Sequence, residues 1–213
     1  MRPRIILADD HVLITEGLRP IIQELDCDLL ATVSDGRALV QAAEELKPDL
    51  IVLDIGMPML NGIEAVRQLR KQDSNVRVIF LSMHSDASYV REAFEVGAAG
   101  YVLKRSALSE LGVAIRHVLA GRQYLSPLVT NESMATFLGN NASSGFGKEL
   151  TARQREVLQL VAEGKQTKEI AAVLSISPKT VEFHKLGIMD ALGVRTTAEL
   201  TRYALEHGIR TRE

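Results

Sequence analysis

The chain has 213 residues, and its 25 Lys and Arg against 27 Asp and Glu give a formal net charge of −2. This near-neutral balance excludes indiscriminate coating of nucleic acid, and an apolar content of 46% excludes a chain that stays unfolded. The single cysteine, Cys27, excludes an intrachain disulfide and a cysteine-based zinc site. No apolar run approaches the roughly 20 residues of a membrane span, and the run before Asp9 is too short for a signal peptide. We expect a cytoplasmic protein of one or two domains that does not interact with membranes.

The first 120 residues alternate short apolar runs with longer amphipathic stretches. Short runs rich in Ile, Val and Leu are typical of buried strands, and apolar residues at helical spacing are typical of helices that cover a sheet. Five strands alternating with five helices predict an α/β fold with a doubly wound, parallel five-stranded sheet. The predicted strands are 4–8, 29–33, 50–53, 76–81 and 100–103, and the amphipathic stretches include 39–46, 62–69, 87–96 and 108–119.

The pattern changes after Gly121. Ser126-Pro127 predicts a helix over 127–138, and the Gly-, Asn- and Ser-rich stretch 139–147 predicts a flexible linker. Residues 1–125 carry 14 basic and 17 acidic side chains, whereas residues 126–213 carry 11 and 10. We therefore expect an acidic first domain over 1–121, a linker over 122–147, and a weakly basic second domain over 148–213.

Polar and ionisable side chains follow four of the predicted strands. Asp9 and Asp10 follow the first strand, Asp54 the third, Ser82 the fourth and Lys104 the fifth. In doubly wound sheets these strand ends lie at one crevice, where ligands bind. Three close carboxylates repel one another unless a cation such as Mg²⁺ neutralises them, and a carboxylate can form an aspartyl phosphate. A single Asp after a strand is more often a turn or capping residue, so the combination is what favours phosphoryl chemistry.

Four segments around these residues resemble the receiver domain of two-component systems, which has a flavodoxin-like fold. They are Asp9-Asp10, the stretch 53–58 with Asn61-Gly62, Leu81-Ser82, and the stretch 100–104. The resemblance covers about residues 3–121. It implies that a sensor histidine kinase phosphorylates Asp54, and that Mg²⁺ is held by Asp9, Asp10, Asp54 and the backbone carbonyl of Gly56.

The same resemblance assigns roles to three further residues. Lys104 is expected to contact the phosphoryl group, with Ser82 donating a hydrogen bond to it. Ser82 and Tyr101 match the switch pair of the family, in which the hydroxyl moves toward the phosphate and the aromatic ring follows inward. Gly56 departs from the polar residue common at its position, which affects the expected lifetime of the phosphoaspartate and leaves the backbone contact to the metal intact.

Only helical patterns follow Leu150. A first helix begins after Thr151 as its N-cap, a second starts near Thr167 with a hydroxyl that can cap it, and a third starts at Pro178 and runs to about Leu192. Two helices joined by a short turn, the second opening with polar and basic residues, predict a helix-turn-helix. An ordinary helical bundle with solvated lysines is an equal alternative on spacing alone.

The stretches 150–158, 168–171, 177–184 and 192–194 resemble a LuxR-type DNA-binding domain over about residues 148–211. Together with the first domain, the chain resembles a response regulator of the NarL/FixJ type. The resemblance implies binding to promoter DNA and homodimerisation of the phosphorylated form through the last helix, with RNA polymerase a further candidate partner. It places Thr167 and Lys168 near the phosphate backbone and assigns to the DNA-facing surface Lys179, Thr180, Val181, His184 and Lys185.

Departures late in the third helix predict modest affinity of the monomeric domain for DNA. Asp190 and Ala191 stand where many relatives carry basic residues, which weakens the salt-dependent part of binding. Gly187 lies within the helix at a cost of roughly 0.5–1 kcal/mol relative to Ala.

Two other classes of function are alternatives. The acidic crevice suits a phosphohydrolase acting through an aspartyl phosphate, although Gly56 stands where such an enzyme needs a second catalytic Asp. The helical half suits a module that binds protein, although Lys179, His184 and Lys185 at the start of the third helix favour DNA. We expect a regulator rather than an enzyme with an external substrate.

Overall fold

The N-terminal half of the chain is built on a parallel sheet. The computed structural model describes residues 2–72, 75–129, 150–206 and 209. Within them the sheet has six strands in the order β2-β1-β3-β4-β5-β6. The apolar runs form these strands because helices bury both faces of the sheet. The strands are β1 (Arg4–Ala8), β2 (Asp28–Val33), β3 (Leu50–Asp54), β4 (Arg77–Ser82), β5 (Gly100–Leu103) and β6 (Tyr124–Leu125).

Helices cover the sheet from two sides and enclose two apolar cores. One core contains Phe80 and Tyr101 and packs under α2, α3 and α4, while the other contains Val52 and Leu81 and packs under α1 and α5. The predicted doubly wound α/β fold is therefore confirmed. The helices are α1 (Val12–Glu24), α2 (Gly36–Leu46), α3 (Gly62–Lys71), α4 (Ala87–Glu95) and α5 (Ala107–Leu119), the last preceded by a 3₁₀ turn over Lys104–Ser106.

The sequence predicted five strands and a linker beginning at 122. This prediction is wrong, because Tyr124–Leu125 forms a sixth strand, β6, within the predicted linker. Gly121 has φ +76° and turns the chain after α5, so that the Tyr124 amide donates to the Ala99 carbonyl at 3.0 Å. Val129 is buried in the core beneath α2, α3 and α4. A strand of two residues is too short to produce a periodic pattern, which is why the sequence did not show it. Residues 127–129 are helical, and the rest of the predicted helix and of the predicted linker lies outside the described residues.

The C-terminal half is helical, with α6 (Ala152–Ala162), α7 (Thr167–Leu174), α8 (Pro178–Leu192) and α9 (Thr197–Glu206). Thr151 caps α6 in a reciprocal pair with Gln154, and Ser177 caps α8, whose first residue is Pro178 as predicted. The helices share a core that includes Val157, Ile170, Val181, Ile188 and Leu200. Among the described helices, none is long and apolar enough to cross a membrane.

Candidate metal centre and nucleic-acid interface

Three acidic side chains and one lysine meet at the carboxyl edge of the sheet. Asp9 and Asp10 directly follow β1, Asp54 is the last residue of β3, and Lys104 follows β5. The Lys104 Nζ lies 2.8 Å from both the Asp9 Oδ2 and the Asp54 Oδ2. Asp9, Asp54 and Lys104 are buried, so this ion pair is shielded from water. The structure thus places these four predicted residues in one crevice.

The electrostatics of the crevice leave negative charge uncompensated. Burial raises the pKa of the Asp54 carboxyl, Lys104 only partly offsets this effect, and Asp9 adds to it. Burial lowers the pKa of Lys104, but the ion pairs with Asp54 and Asp9 outweigh it, and its pKa lies above the usual value. One lysine therefore serves two buried carboxylates, and Asp10 adds a third at the rim. Such a set of oxygen ligands suits a hard divalent cation.

The turn after β1 adds a side chain that the sequence prediction missed. His11 Nδ1 lies 3.0 Å from the Asp9 Oδ1 and 2.9 Å from the Asp10 Oδ1, and its backbone N–H donates to the Asp9 Oδ1. Ligand atoms of Asp9, Asp10, His11 and Asp54 all lie within 4.8 Å of one another. In the sequence, only the position of His11 next to Asp10 indicated that it belongs to this cluster.

The chain after Asp54 turns back tightly towards that residue. The Gly56 N–H hydrogen-bonds to the Asp54 carboxylate. The Gly62 N–H donates to the Ile55 carbonyl at 2.9 Å, and a Cβ at Gly62 would lie only 2.2 Å from the Asp54 carbonyl oxygen. Asn61 caps α3 through its side chain. Glycine at 62 is therefore needed to start α3 beside the buried carboxylate.

The predicted switch pair lies beside the crevice and shares a partner. Ser82 is buried and its Oγ accepts a hydrogen bond from the His84 N–H at 3.0 Å. Tyr101 is fully buried, and its hydroxyl donates to the His84 carbonyl at 2.7 Å. The resemblance predicted a ring that moves inward, whereas here the ring is already inside. The backbone of His84, which the sequence prediction did not include, links the two side chains.

The predicted DNA-facing residues divide between the surface and the core of the helical half. Lys179 and Lys168 are exposed, Thr180 and His184 are half-buried, and Val181 is fully buried. The assignment of Val181 to the DNA-facing surface is therefore wrong, because its side chain packs in the core that α8 shares with the other helices.

The hydroxyl of Thr167 is used differently from the prediction. Gln166, not Thr167, is the N-cap of α7. The Thr167 hydroxyl donates to the Glu182 carboxylate at 2.6 Å, and the Lys185 ammonium donates to the same oxygen at 3.2 Å. These two hydrogen bonds lower the pKa of the Glu182 carboxyl, and the bond from Thr167 has the larger effect. The contacts of Thr167 and Lys185 with Glu182 thus fix α8 against α7.

The outward face of α8 carries apolar side chains that the sequence prediction left out. Phe183 is 74% exposed and Leu186 is 61% exposed. They lie opposite the buried Val181 and Ile188, on the same face as the exposed Lys179. A helical projection of 178–192 would have shown this face, because the two buried residues are seven positions apart.

Comparison with known proteins decides the family. Residues 5–116 match the family model described as response regulator receiver domain, and residues 148–204 match the model described as bacterial regulatory proteins, luxR family. The transcriptional regulatory protein MctR of Rhizobium johnstonii is 35% identical over 207 residues, covering 97% of this chain and 94% of MctR. The oxygen regulatory protein NreC of Staphylococcus aureus is 35% identical over 211 residues, covering 95% of this chain and 97% of NreC. The chain belongs to the NarL/FixJ family of two-component response regulators.

Solved structures of RcsB share the architecture of this response regulator. RcsB of Salmonella enterica serovar Typhimurium, bound to promoter P1flhDC in the presence of the phosphomimetic BeF3−, is 26% identical with a TM-score of 0.64. The match covers 97% of this chain and 100% of the RcsB chain. A second RcsB structure, of two dimers bound to two parallel DNAs, is 25% identical with a TM-score of 0.59. That match covers 95% of this chain and 98% of the RcsB chain. This response regulator is a transcription regulator with a receiver and a LuxR-type DNA-binding domain.

The response regulator also has a basic concave surface between α6, α7, α8 and α9. It is lined by Lys165, Lys168 and Lys185 together with Thr167 and Thr197. Lys168 lies in the first turn of α7, where the positive end of the helix dipole adds to its charge. A surface of this kind suits a phosphate group of a nucleic-acid backbone.

Proposed function

We propose that this response regulator accepts a phosphoryl group on Asp54 and that this modification controls its binding to promoter DNA. The observation that carries the proposal is the Lys104 Nζ at 2.8 Å from the Asp54 Oδ2 in a buried crevice. A carboxylate oxygen of Asp54 attacks the phosphorus of a phosphohistidine on a sensor kinase, the P–N bond breaks, and imidazole leaves. Lys104 stabilises the charge on the transferring group, and the hydroxyl of Ser82 donates to one of its oxygens.

We assign Mg²⁺ to the same crevice. Asp9, Asp10 and Asp54, with the backbone carbonyl of Gly56, would hold the ion, and the donor set fits because it consists of oxygens that carry more negative charge than Lys104 balances. When bound, the ion neutralises charge on the phosphoryl oxygens. The glycine at 56 has no side chain that could shield the phosphoaspartate, which favours access of water to it.

On the DNA side, the start and the outward face of α8 enter the major groove. Lys179 and His184 contact polar groups there, and Phe183 packs against thymine methyl groups. Lys165 and Lys168 contact the backbone from the basic concave surface. The phosphorylated form acts as a homodimer through α9, and a solved structure of RcsB contains dimers bound to DNA. The receiver domain extends through Val129, because β6 and Val129 belong to its sheet and core.

The direct test is phosphorylation by acetyl phosphate with Mg²⁺, followed by a mobility shift on a phosphate-binding gel. The wild-type chain is expected to acquire one phosphoryl group and the Asp54→Asn variant none. Asp26→Asn is a matched control, because Asp26 is exposed and has φ +57°, a conformation that Asn tolerates. Equal labelling of the wild type and Asp54→Asn contradicts the assignment of Asp54.

A further inference from the structure

The loop that follows Asp54 is held by a side chain from the DNA-binding domain. Gln159 lies in α6 and is 1% exposed. Its Oε1 accepts a hydrogen bond from the Asn61 N–H at 2.8 Å, and its Nε2 donates to the Met57 carbonyl at 2.9 Å. One amide group therefore satisfies both ends of the loop 57–61. In a buried position such a pair of hydrogen bonds fixes the backbone, since an unsatisfied polar group there is costly.

A second side chain of the DNA-binding domain holds the middle of the same loop. The Glu163 Oε1 accepts hydrogen bonds from the Met59 N–H and from the Gln159 Nε2, both at 2.9 Å. Met59 has φ +65°, a strained conformation for a residue other than glycine, and its side chain packs against the core of the DNA-binding domain. The conformation of the loop is thus determined jointly by the two domains.

Charged groups extend this interface from the loop to α4. Arg155 of α6 binds the buried Glu64 of α3, whose carboxylate also accepts from Arg67. Arg67 in turn lies 2.8 Å from Glu92 of α4. The contacts form a continuous chain from the DNA-binding domain across α3 to α4, which packs over the core that contains Tyr101.

The docked arrangement leaves the outward face of α8 uncovered. The hydrogen bonds and ion pairs given above come from Arg155, Gln159 and Glu163, which belong to α6 or follow it directly, whereas Phe183 and Leu186 of α8 remain exposed. Docking of α6 therefore does not shield that face. The contacts of Gln159 and Glu163 connect α6 instead to the loop beside Asp54.

We propose that Gln159 is a positioning residue for the phosphorylation site, so that docking of α6 and occupation of Asp54 by a phosphoryl group oppose each other. This rests on the proposed function. The Gly56 N–H interacts with the unmodified Asp54 carboxylate. We expect a phosphoryl group on that carboxylate to displace this contact and to move the adjacent Met57 carbonyl away from the Gln159 Nε2. By linkage, loss of the Gln159 contacts strengthens binding of a phosphoryl mimic as much as the mimic weakens docking.

The experiment compares binding of BeF3− with Mg²⁺ to the full chain and to its Gln159→Met variant by titration calorimetry. The variant keeps the size of the side chain and loses both hydrogen bonds to the loop. It is expected to bind BeF3− at least about fivefold more tightly, the lower range of typical allosteric coupling. Glu163→Leu, which removes the acceptor of the Met59 amide, is expected to act in the same direction. Gln68→Met is the matched control, because Gln68 touches Glu156 across the same interface without contacting the loop.

Hydrogen exchange of the Met59 and Asn61 amides reports the loop directly. Both amides are expected to be protected in the wild type, to lose protection in Gln159→Met, and to lose it in the wild type when BeF3− is added. Equal affinities of the wild type and Gln159→Met for BeF3− overturn the coupling and leave the proposed function intact. A gain in Gln68→Met as large as in Gln159→Met overturns the assignment to Gln159. A wild type that does not bind BeF3− overturns the proposed function together with the coupling.

Discussion

Lys104 lies between Asp9 and Asp54. Among the residues that the structure describes, it is the only lysine or arginine that forms an ion pair with these two carboxylates. Its ammonium stabilises the ionised form of Asp54, which is the nucleophilic form in phosphoryl transfer. The same ammonium offsets the cost of burying Asp9. Lys104 therefore supports the chemistry and the stability of the receiver domain with one charge.

Replacing Lys104 by Gln is expected to lower both the rate of phosphorylation at Asp54 and the stability of the receiver domain. Removal of one partner from a buried ion pair costs about 3–5 kcal/mol, because the other charges remain buried and unpaired. Urea unfolding measures this loss, and added Mg²⁺ is expected to recover part of it by neutralising the same carboxylates. Phosphorylation by acetyl phosphate is expected to become slower than in Lys71→Gln, a control at an exposed site. A variant that is as stable as the wild type without Mg²⁺ contradicts this role.

Among the helices, α4 carries a buried carboxylate whose ionisation depends on its neighbours. Burial raises the pKa of Glu92 to about 7, with Arg67 opposing the effect and Glu64 adding to it. Between about pH 4.5 and 7 the folded protein holds a proton on Glu92 that the unfolded chain has released. The free energy of unfolding therefore falls as the pH rises through this window.

Glu92→Gln tests this pH dependence. The amide resembles the protonated acid, so the variant is expected to match the wild type near pH 5 and to be more stable by about 2–3 kcal/mol near pH 8, at 1.36 kcal/mol per unit of pKa shift. Urea unfolding across this range makes the comparison. Glu95→Gln, at an exposed site one turn later on α4, is the control and is expected to leave the slope unchanged. A wild type whose stability rises from pH 5 to 8 in parallel with the variant contradicts the raised pKa.

The two faces of α8 predict opposite phenotypes. Val181→Ala removes two buried carbons from the core, which costs about 2 kcal/mol before any cavity is counted. Phe183→Ala removes an exposed ring and is expected to leave the unfolding temperature nearly unchanged while weakening binding to promoter DNA. Thermal unfolding and fluorescence anisotropy on both variants separate the two effects. Loss of DNA affinity without loss of stability in Val181→Ala contradicts the orientation of α8.

Sequence patterns predicted the elements that repeat along the chain and missed those that depend on contacts between distant segments. The strand ends bearing Asp54 and Lys104 followed from periodicity, because buried parallel strands are continuous apolar runs. Val181 was assigned to DNA by resemblance although its helical spacing places it with Ile188 in the core. Gln159 carried no signal, since a glutamine within a helix is ordinary until the loop 57–61 is brought against it.

At the scale of the molecule, the weak positive charge of the DNA-binding half determines how its affinity responds to salt. Lys165, Lys168 and Lys179 can each neutralise one phosphate, whereas Lys185 is held by Glu182. The slope of the logarithm of the DNA affinity against the logarithm of the salt concentration is about −3 for three phosphates in one half-site, and about −5 for a dimer on two half-sites.

On a promoter fragment with two half-sites, we expect BeF3− to change this slope from about −3 to about −5. Lys168→Ala is expected to reduce the slope of the dimer by about 2, one phosphate in each half-site. The exposed Lys71 of the receiver domain is the control position. A slope that is the same with and without BeF3− contradicts dimerisation on DNA, because a second half-site cannot be occupied without releasing its counterions.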